Sequence, residues 1–232
     1  MPLGRIRAVW AALAGADEFP ASGAVVVVNA ESRICPPGWA GVVALEHGVL
    51  ATVPHRDLAE PFTRAVDGLD WAADWRTLEA GGVRVVEARG PARLAYVDRA
   101  TFRPPAPAGR VDLVAGDSTR AGRFVASVPA GDAEEAGIAS CTSPWFCIAD
   151  GDDLVAAAGY RVWSGELAHL SVLVAPEARG RGRGRVVAGA ATEHALASGL
   201  LGQWRAAPAA SRAVAAALGY EPRGRQVSLR LE

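Results

Sequence analysis

The residues with the clearest capacity for chemistry form an alternating run of arginine and glycine at residues 179–185. Because Gly180, Gly182 and Gly184 lack a Cβ atom, a turn built from them can bend tightly and bring backbone N–H groups close to an anion. The arginines add positive charge and forked hydrogen-bond donors. An apolar, strand-like run precedes the turn at Leu170–Val174, and a helix-like pattern follows it. Free N–H groups at a helix N-terminus favour phosphate, so this order predicts a phosphate-binding loop.

Three other kinds of site contain glycine-rich or arginine-rich runs. A dinucleotide fingerprint, GxGxxG, counted from Gly180 or Gly182 meets Arg185 or Val187 in place of its third glycine. A nucleotide P-loop requires Gly-Lys-Ser/Thr, and the chain contains no lysine. Arginine-glycine segments that bind RNA are long and repetitive, whereas this run is short and lies between a strand and a helix. An arginine-rich RNA binder is kept as a third alternative for the function.

The composition is that of a globular protein of 232 residues, 50% of them hydrophobic, which is ample for a core. A net charge of −1 predicts neither nucleic acid nor an anionic membrane as a partner. All 24 residues counted as Lys+Arg are arginine, so lysine-based covalent catalysis is excluded. We expect a cytoplasmic protein, because residues 1–20 do not resemble a secretion signal and no apolar stretch is long enough to span a membrane.

The sequence predicts no metal site. The chain contains three cysteines, Cys35, Cys141 and Cys147, which is an odd number and includes no CxxC pair. This pattern is typical of cysteines that act as small buried apolar residues in a reducing compartment. The isolated histidines, His47 and His55, are interpreted as structural. The acidic turn at residues 150–153 is too short for a calcium-binding loop and lacks its terminal glutamate.

A proline-rich linker at residues 103–110, RPPAPAGR, divides the chain into residues 1–102 and residues 111–232. The first part is predicted to be an α/β region of unknown role, for which a degenerate second copy of the C-terminal fold is kept as an alternative. Its expected elements are a helix at Asp57–Val66, a short helix with Trp71 and Trp75 on one face, and strands at Ala24–Asn29, Gly41–Leu45, Val83–Glu87 and Arg93–Val97.

The C-terminal part is predicted to alternate strands and helices, which gives an α/β fold. A short helix is expected at Asp132–Ala139, with Asp132 as its N-cap. A second helix follows the arginine-glycine run, and a third spans Ser211–Leu218 and is closed by Gly219. Strands are expected at Trp145–Ala149, Leu154–Trp163, Glu166–Val174, Leu201–Arg205 and Gln226–Leu231.

Residues 174–184, VAPEARGRGRG, resemble the acyl-CoA pyrophosphate loop of the GNAT superfamily of N-acetyltransferases, whose pattern is V-x-P followed by Q/R-x-x-G-x-G/A. Arg179, Gly182 and Gly184 occupy the defining positions. A strand and then S-x-x-V-x-x-x-L-G-Y follow, the latter at Ser211–Tyr220, where members commonly have a short helix that ends in L-G-F. The resemblance covers 143–231 and implies a mixed central sheet with a splayed pair of strands, flanked by helices.

The resemblance implies acetyl-CoA as co-substrate, wedged between two strands that here are Glu166–Val174 and Leu201–Arg205. The backbone of residues 172–174 would pair with the pantetheine arm as a neighbouring strand does. The N–H groups of residues 180–185 would hold the pyrophosphate. The residues expected to bind the coenzyme are Val172, Leu173, Val174, Arg179, Gly180, Arg181, Gly182, Arg183, Gly184, Arg185 and Ser211.

Acetyl transfer to an amine requires a proton to be removed, because an alkyl amine with a pKa of about 10.4 is mostly protonated at neutral pH. Many members of the family carry a general base, a tyrosine acid and an asparagine at positions that in this chain are Ala168, Ala215 and Pro208. None of those three side chains can perform the corresponding role.

Two side chains near these positions are candidate general bases. Glu166, ranked first, has the same strand parity as Ala168 and is expected on the same face. His169, ranked second, has a suitable ordinary pKa but is expected on the opposite face unless a bulge intervenes. Tyr160 and Tyr220 also carry hydroxyl groups, although Tyr220 occupies the family's aromatic packing position. Proximity alone, with water relaying the proton, stays an alternative.

The function predicted from these residues is transfer of an acetyl group from acetyl-CoA to an amine of a small molecule or peptide, by direct attack in a ternary complex. The missing base and acid keep a non-catalytic acyl-CoA-binding or regulatory module as the alternative. The sequence predicts neither the identity of the acceptor nor the oligomeric state.

Overall fold

The computed structural model describes residues 3–67, 83–106 and 110–232, so the predicted helix with Trp71 and Trp75 lies outside the described residues. The described helices are α1 (Leu3–Ala14), α2 (Ala59–Val66), α3 (Thr119–Ser127), α4 (Ala130–Ala136), α5 (Arg183–Ala197) and α6 (Ala209–Ala217). The strands are β1 (Gly23–Val28), β2 (Ala40–Leu45), β3 (Gly48–Val53), β4 (Val85–Val97), β5 (Asp112–Val114), β6 (Trp145–Asp150), β7 (Asp153–Trp163), β8 (Leu167–Val174), β9 (Leu201–Ala206) and β10 (Glu221–Leu231).

These elements form two compact units. One contains Tyr96–Glu221, and the other contains the residues up to Ala95 together with Pro222–Glu232. The boundaries of the units do not coincide with the proline-rich segment 103–110. The reason is that β10, although it follows the C-terminal part in sequence, pairs with β2.

The unit with the N-terminal residues has strand order β1-β3-β2-β10-β4. β1 and β3 are parallel, whereas β2 is antiparallel to both β3 and β10. Phe62 and Val66 of α2 pack on one face of this sheet against Val42, Ala51 and Val227. The two strands predicted at residues 83–87 and 93–97 are parts of the single strand β4.

The unit with Tyr96–Glu221 is built on a mixed sheet of order β9-β8-β7-β6-β5. Neighbouring strands are antiparallel from β5 to β8, and β8 is parallel to β9. On one face Phe124 of α3 belongs to the same apolar cluster as Leu173 of β8, with partly buried residues of α4 packed against it. The other face of β8 lies against α5, where Gly184 is next to Val174. The predicted α/β fold with a mixed sheet flanked by helices is confirmed.

β8 and β9 are paired only where they begin. Their register contains Leu167 with Leu201, Ala168 with Gly202, and His169 with Gln203, and the pairing stops there. β8 nevertheless continues to Val174 and β9 to Ala206. The two strands therefore separate beyond His169, which is the splayed pair that the family resemblance implies.

Two local predictions need correction. The helix expected at Asp132–Ala139 is α4, which begins at Ala130 with Pro129 as N-cap, so Asp132 lies in the first turn. Proline is compatible with a helix start because it fixes φ and has no N–H to leave unpaired. Glu166 lies in the turn before β8 instead of in the strand. Among the described residues, no helix is long and apolar enough to cross a membrane.

Candidate active site

The separation of β8 from β9 leaves one edge of β8 open. The N–H of Ala175 donates to the Val155 carbonyl at 3.0 Å, in register with β7. Since backbone groups alternate in direction along a strand, the peptide groups of Ser171 and Leu173 also point to β7. Those of Val172 and Val174 point to the side from which β9 has diverged. Of the three predicted pantetheine-binding residues, Val172 and Val174 thus present their backbone to the gap.

The open edge leads into the arginine-glycine turn. Gly180 and Gly182 both have φ of +74°, a left-handed conformation that only glycine adopts without strain. Gly182 is the N-cap of α5, and its carbonyl accepts from the N–H groups of Arg185 and Val186 at 3.0 and 3.2 Å. Within the described part of the chain, no backbone carbonyl accepts from the N–H groups of residues 180–184. Those amides are therefore available to an anion.

Gly184 is a position of close approach between α5 and β8. A Cβ atom there would lie 3.2 Å from Cγ2 of Val174 and 3.9 Å from Cγ1 of Val172. The first turn of α5 therefore sits directly on the end of β8. This close approach places the N-terminus of the helix beside the open strand edge.

Two arginine side chains of the turn hold it to neighbouring elements. Arg179 donates from Nε to the Val174 carbonyl at 3.2 Å and from Nη2 to Asp132 of α4 at 2.6 Å. Arg183 lies 3.6 Å from the Asp150 carboxylate. The side chains of Arg181 and Arg185 are exposed. Arg179 is exposed as well, although its guanidinium is tied to Val174 and Asp132.

The two candidate bases occupy different places relative to the gap. The backbone carbonyl of Glu166 accepts from the Leu201 N–H at 3.0 Å, which puts Glu166 at the closed end of the strand pair. His169 belongs to the last paired position, where the gap begins. The β7–β8 register is continuous from Leu167 to Val174, so His169 lies on the face opposite Ala168, as strand parity predicts.

The environment of His169 keeps its imidazole neutral. The ring stacks on Trp163 with 4.3 Å between ring centroids and 13° between ring planes. Its Nδ1 is hydrogen-bonded to Oε1 of Gln203. Burial, with the positive charges of Arg205 and Arg161, lowers the pKa of His169 to about 4.

The two tyrosines are held in hydrogen bonds on the sheet face that α5 covers. The Tyr220 hydroxyl lies 2.8 Å from Oγ1 of Thr192, and burial raises the pKa of Tyr220. The Tyr160 hydroxyl lies 2.8 Å from Nδ1 of His194. Burial also raises the pKa of Tyr160. Both hydroxyls are poor acids in this setting.

The remaining positions considered in the sequence are Ser211 and the two alanines at 168 and 215. The Ser211 hydroxyl accepts from the Trp204 indole N–H at 3.0 Å. Ala168 and Ala215, which stand where many relatives carry the base and acid, are buried. Among the described residues, no group of three or more His, Cys, Asp and Glu side chains is arranged to hold a metal ion.

Residues 144–226 match the family model described as GNAT acetyltransferase. Over this segment the chain is similar to GNAT acetyltransferases. The match includes the splayed strands and the turn between β8 and α5, so the resemblance predicted from VAPEARGRGRG is confirmed. No curated protein matches the chain.

Solved structures similar to the chain include GNAT proteins from three bacteria. An acetyltransferase from Colwellia psychrerythraea is 17% identical, with a TM-score of 0.49 over 68% of this chain and 61% of that one. A GCN5-related N-acetyltransferase from Kribbella flavida is 23% identical, with a TM-score of 0.47 over 66% and 62%. A GCN5-related N-acetyltransferase-like protein from Streptococcus suis is 18% identical, with a TM-score of 0.47 over 89% and 87%. The chain thus spans about three fifths of the first two proteins.

The site contains two side chains that sequence reasoning did not identify. Gln203 pairs with His169, and Asp132 binds Arg179. Gln203 carries a weak signal, because a glutamine interrupts an otherwise apolar strand at LGQW. Asp132 carries none, because its partner is far away in sequence.

Proposed function

We propose that the protein transfers an acetyl group from acetyl-CoA to an amine, by direct attack within a ternary complex. The observation that carries the proposal is the open edge of β8, which ends in a turn with unpaired N–H groups. An extended ligand with a phosphate at one end has hydrogen-bonding partners along this whole path.

The donors of this path fit coenzyme A. Residues 180–184 offer amide donors at the N-terminal end of α5, where negative charge is stabilised. The exposed guanidinium groups of Arg181 and Arg185 add charge beside them. The backbone of Val172 and the N–H of Val174 would pair with the amides of the pantetheine arm, since the Val174 carbonyl already accepts from Nε of Arg179. When bound, acetyl-CoA supplies an acyl group activated as a thioester.

His169 is the base that this geometry favours. It lies at the mouth of the gap, whereas Glu166 lies at the closed end of the strand pair. Since the pKa of His169 is lowered to about 4, the imidazole is unprotonated at neutral pH and able to accept a proton from the acceptor nitrogen. A low pKa makes it a weak base, so positioning of the amine must contribute most of the rate.

The alternative, a non-catalytic acyl-CoA-binding module, is favoured by the buried alanines at positions 168 and 215. The two functions differ in turnover. Release of free thiol from acetyl-CoA in the presence of a panel of amines and peptides would support the enzyme. Tight binding of acetyl-CoA with no thiol release for any acceptor would support the module.

Calorimetric titration with acetyl-CoA tests the binding site itself. We expect Gly182→Ala to weaken binding about tenfold, because a left-handed alanine costs about 1–2 kcal/mol. Gly122→Ala is the matched control, since Gly122 lies in α3 with open space around it and no positive φ. Wild-type protein that fails to bind at millimolar acetyl-CoA would overturn both coenzyme-binding functions. Equal affinity of the two variants for acetyl-CoA would show that the turn does not bind the coenzyme.

A further inference from the structure

His169 and Gln203 form a side-chain pair at the point where β8 and β9 separate. They are partners in the last position of the parallel register, so their side chains stand next to each other on one face. The imidazole Nδ1 and the amide Oε1 are hydrogen-bonded. Gln203 is fully buried, with 0% of its surface exposed.

This hydrogen bond determines which imidazole nitrogen carries the proton. An amide oxygen only accepts, so Nδ1 of His169 donates and Nε2 keeps a free lone pair. If the acceptor amine gives its proton to Nε2, the ring becomes a cation while Nδ1–H stays on Gln203. The reversed orientation of the amide would give the opposite tautomer, which a spectroscopic measurement distinguishes.

The other end of the Gln203 side chain has no partner. Its Nε2 atom is buried and makes no hydrogen bond to any of the described residues. A buried N–H group without an acceptor is costly, and in native proteins such a group calls for an explanation. An acceptor oxygen brought by a ligand into the gap between the strands would satisfy it.

Charged and aromatic groups complete the surroundings of the pair. Arg161 on β7 lies directly opposite His169 in the register, and Arg205 follows Gln203 on the same face of β9. Trp163 covers the imidazole ring. Both arginines disfavour a positive charge on the ring, so an imidazolium formed there readily loses its proton.

We propose that Gln203 is a positioning residue with two roles. Its amide oxygen holds His169 in the tautomer with a free Nε2, and its amide nitrogen donates to the carbonyl oxygen of the bound thioester. The second role rests on the proposed function, whereas the first is a property of the protein without ligand.

The first role is tested by nitrogen-15 NMR of the imidazole groups at neutral pH, with His169→Gln identifying the signal among the four histidines. We expect wild-type His169 to be protonated at Nδ1 and not at Nε2. Gln203→Glu keeps an acceptor oxygen, so the tautomer should persist and the pKa of His169 should rise by at least about one unit. Gln203→Met removes the acceptor, and the two tautomers should then mix. Protonation at Nε2 in the wild type, or an unchanged tautomer in Gln203→Met, would overturn this role.

The second role is tested by comparing the affinities for coenzyme A and for a non-hydrolysable ketone analogue of acetyl-CoA. Gln203→Glu and Gln203→Met both lack the N–H donor, so the preference for the ketone should fall about fivefold in each while coenzyme A binds as before. Gln226→Met is the control. Gln226 is also buried, but its side chain donates to the Ile34 carbonyl, and both residues belong to the unit that does not contain Gln203. An unchanged preference in both variants would overturn the role.

These outcomes separate the inference from the proposed function. If His169 has the expected tautomer but neither ligand binds the wild type, the proposed function fails and the first role of Gln203 stands. If acetyl transfer is observed and the tautomer is the reverse, the inference fails and the proposed function stands.

Discussion

At the scale of single residues, the candidate site contains N–H donors that have no acceptor in the described part of the protein. Gly180 and Gly182 adopt left-handed backbone conformations, and the amides of residues 180–184 have no acceptor among the described residues. Gln203 is buried with an unpartnered amide nitrogen within the same part of the chain. A buried donor without an acceptor lowers stability, so the amide nitrogen of Gln203 calls for an explanation, whereas the exposed amides of the turn are solvated.

The altered titration of His169 predicts a pH dependence of stability. The pKa falls from its ordinary value of 6.5 to about 4 in the folded protein. Between these values the unfolded chain binds a proton that the folded protein does not, so this contribution to stability is present above pH 6.5 and is lost as the pH falls toward 4. His169→Gln should therefore reduce the slope of unfolding free energy against pH in that window.

Chemical denaturation at several pH values measures this slope. His55→Gln is the control for the loss of a histidine, because the His55 side chain is exposed. A slope in His169→Gln equal to that of the wild type would show that the folded-state pKa is not lowered.

At the scale of elements, β8 has one edge that stabilises the sheet and one that is open, which predicts opposite effects for neighbouring prolines. Leu173→Pro removes an N–H that points to β7 and should destabilise the fold by about 3 kcal/mol. Val172→Pro removes an N–H that faces the gap and should cost less stability, because proline is tolerated where the strand N–H has no partner. It should nevertheless weaken binding of acetyl-CoA.

Thermal melts and calorimetry on the two variants test this expectation together. We expect Val172→Pro to be folded but to bind acetyl-CoA more weakly than the wild type. Full acetyl-CoA affinity in that variant would mean that the open edge is not used by the ligand.

The sequence predicted elements whose signals are local. The turn that ends at Gly182 and leads into α5, the hairpin at 150–153 and the helix closed by Gly219 all follow from glycine and proline placement, and the structure contains them. The pairing of His169 with Gln203 depends on the register of two parallel strands joined by a helix, and no local pattern encodes that register. For the same reason, the sequence showed β10 as a strand but gave no indication of its partner β2.

At the scale of the whole molecule, β10 connects distant parts of the sequence. It pairs with β2 within the unit that contains the N-terminal residues, and its Val227 and Leu229 are 1% and 2% exposed. The close approach at Gly224, where a Cβ would lie 2.1 Å from the Ala44 carbonyl oxygen, shows how tightly the strands are fitted. The N-terminal unit therefore depends on residues 222–231 for part of its core.

Deleting residues 222–232 should destabilise that unit. The deletion leaves β2 without its antiparallel neighbour β10 and exposes the apolar cluster around Val42, which favours aggregation. Limited proteolysis should show faster cleavage within residues 3–67, and binding of a hydrophobic dye should increase. Arg230→Ala is the control, because it removes only an exposed ion pair with Glu87. Unchanged protease resistance after the deletion would contradict a structural role for β10.

The position of β10 also has a consequence for biosynthesis. During translation residues 3–67 leave the ribosome long before residues 222–231, so the sheet that contains β1, β2 and β3 lacks the strand β10 until those later residues emerge. The edge of β2 and the part of the apolar cluster that Val227 and Leu229 complete stay exposed for that interval. A nascent-chain holdase that covers such surfaces would raise the yield of native protein.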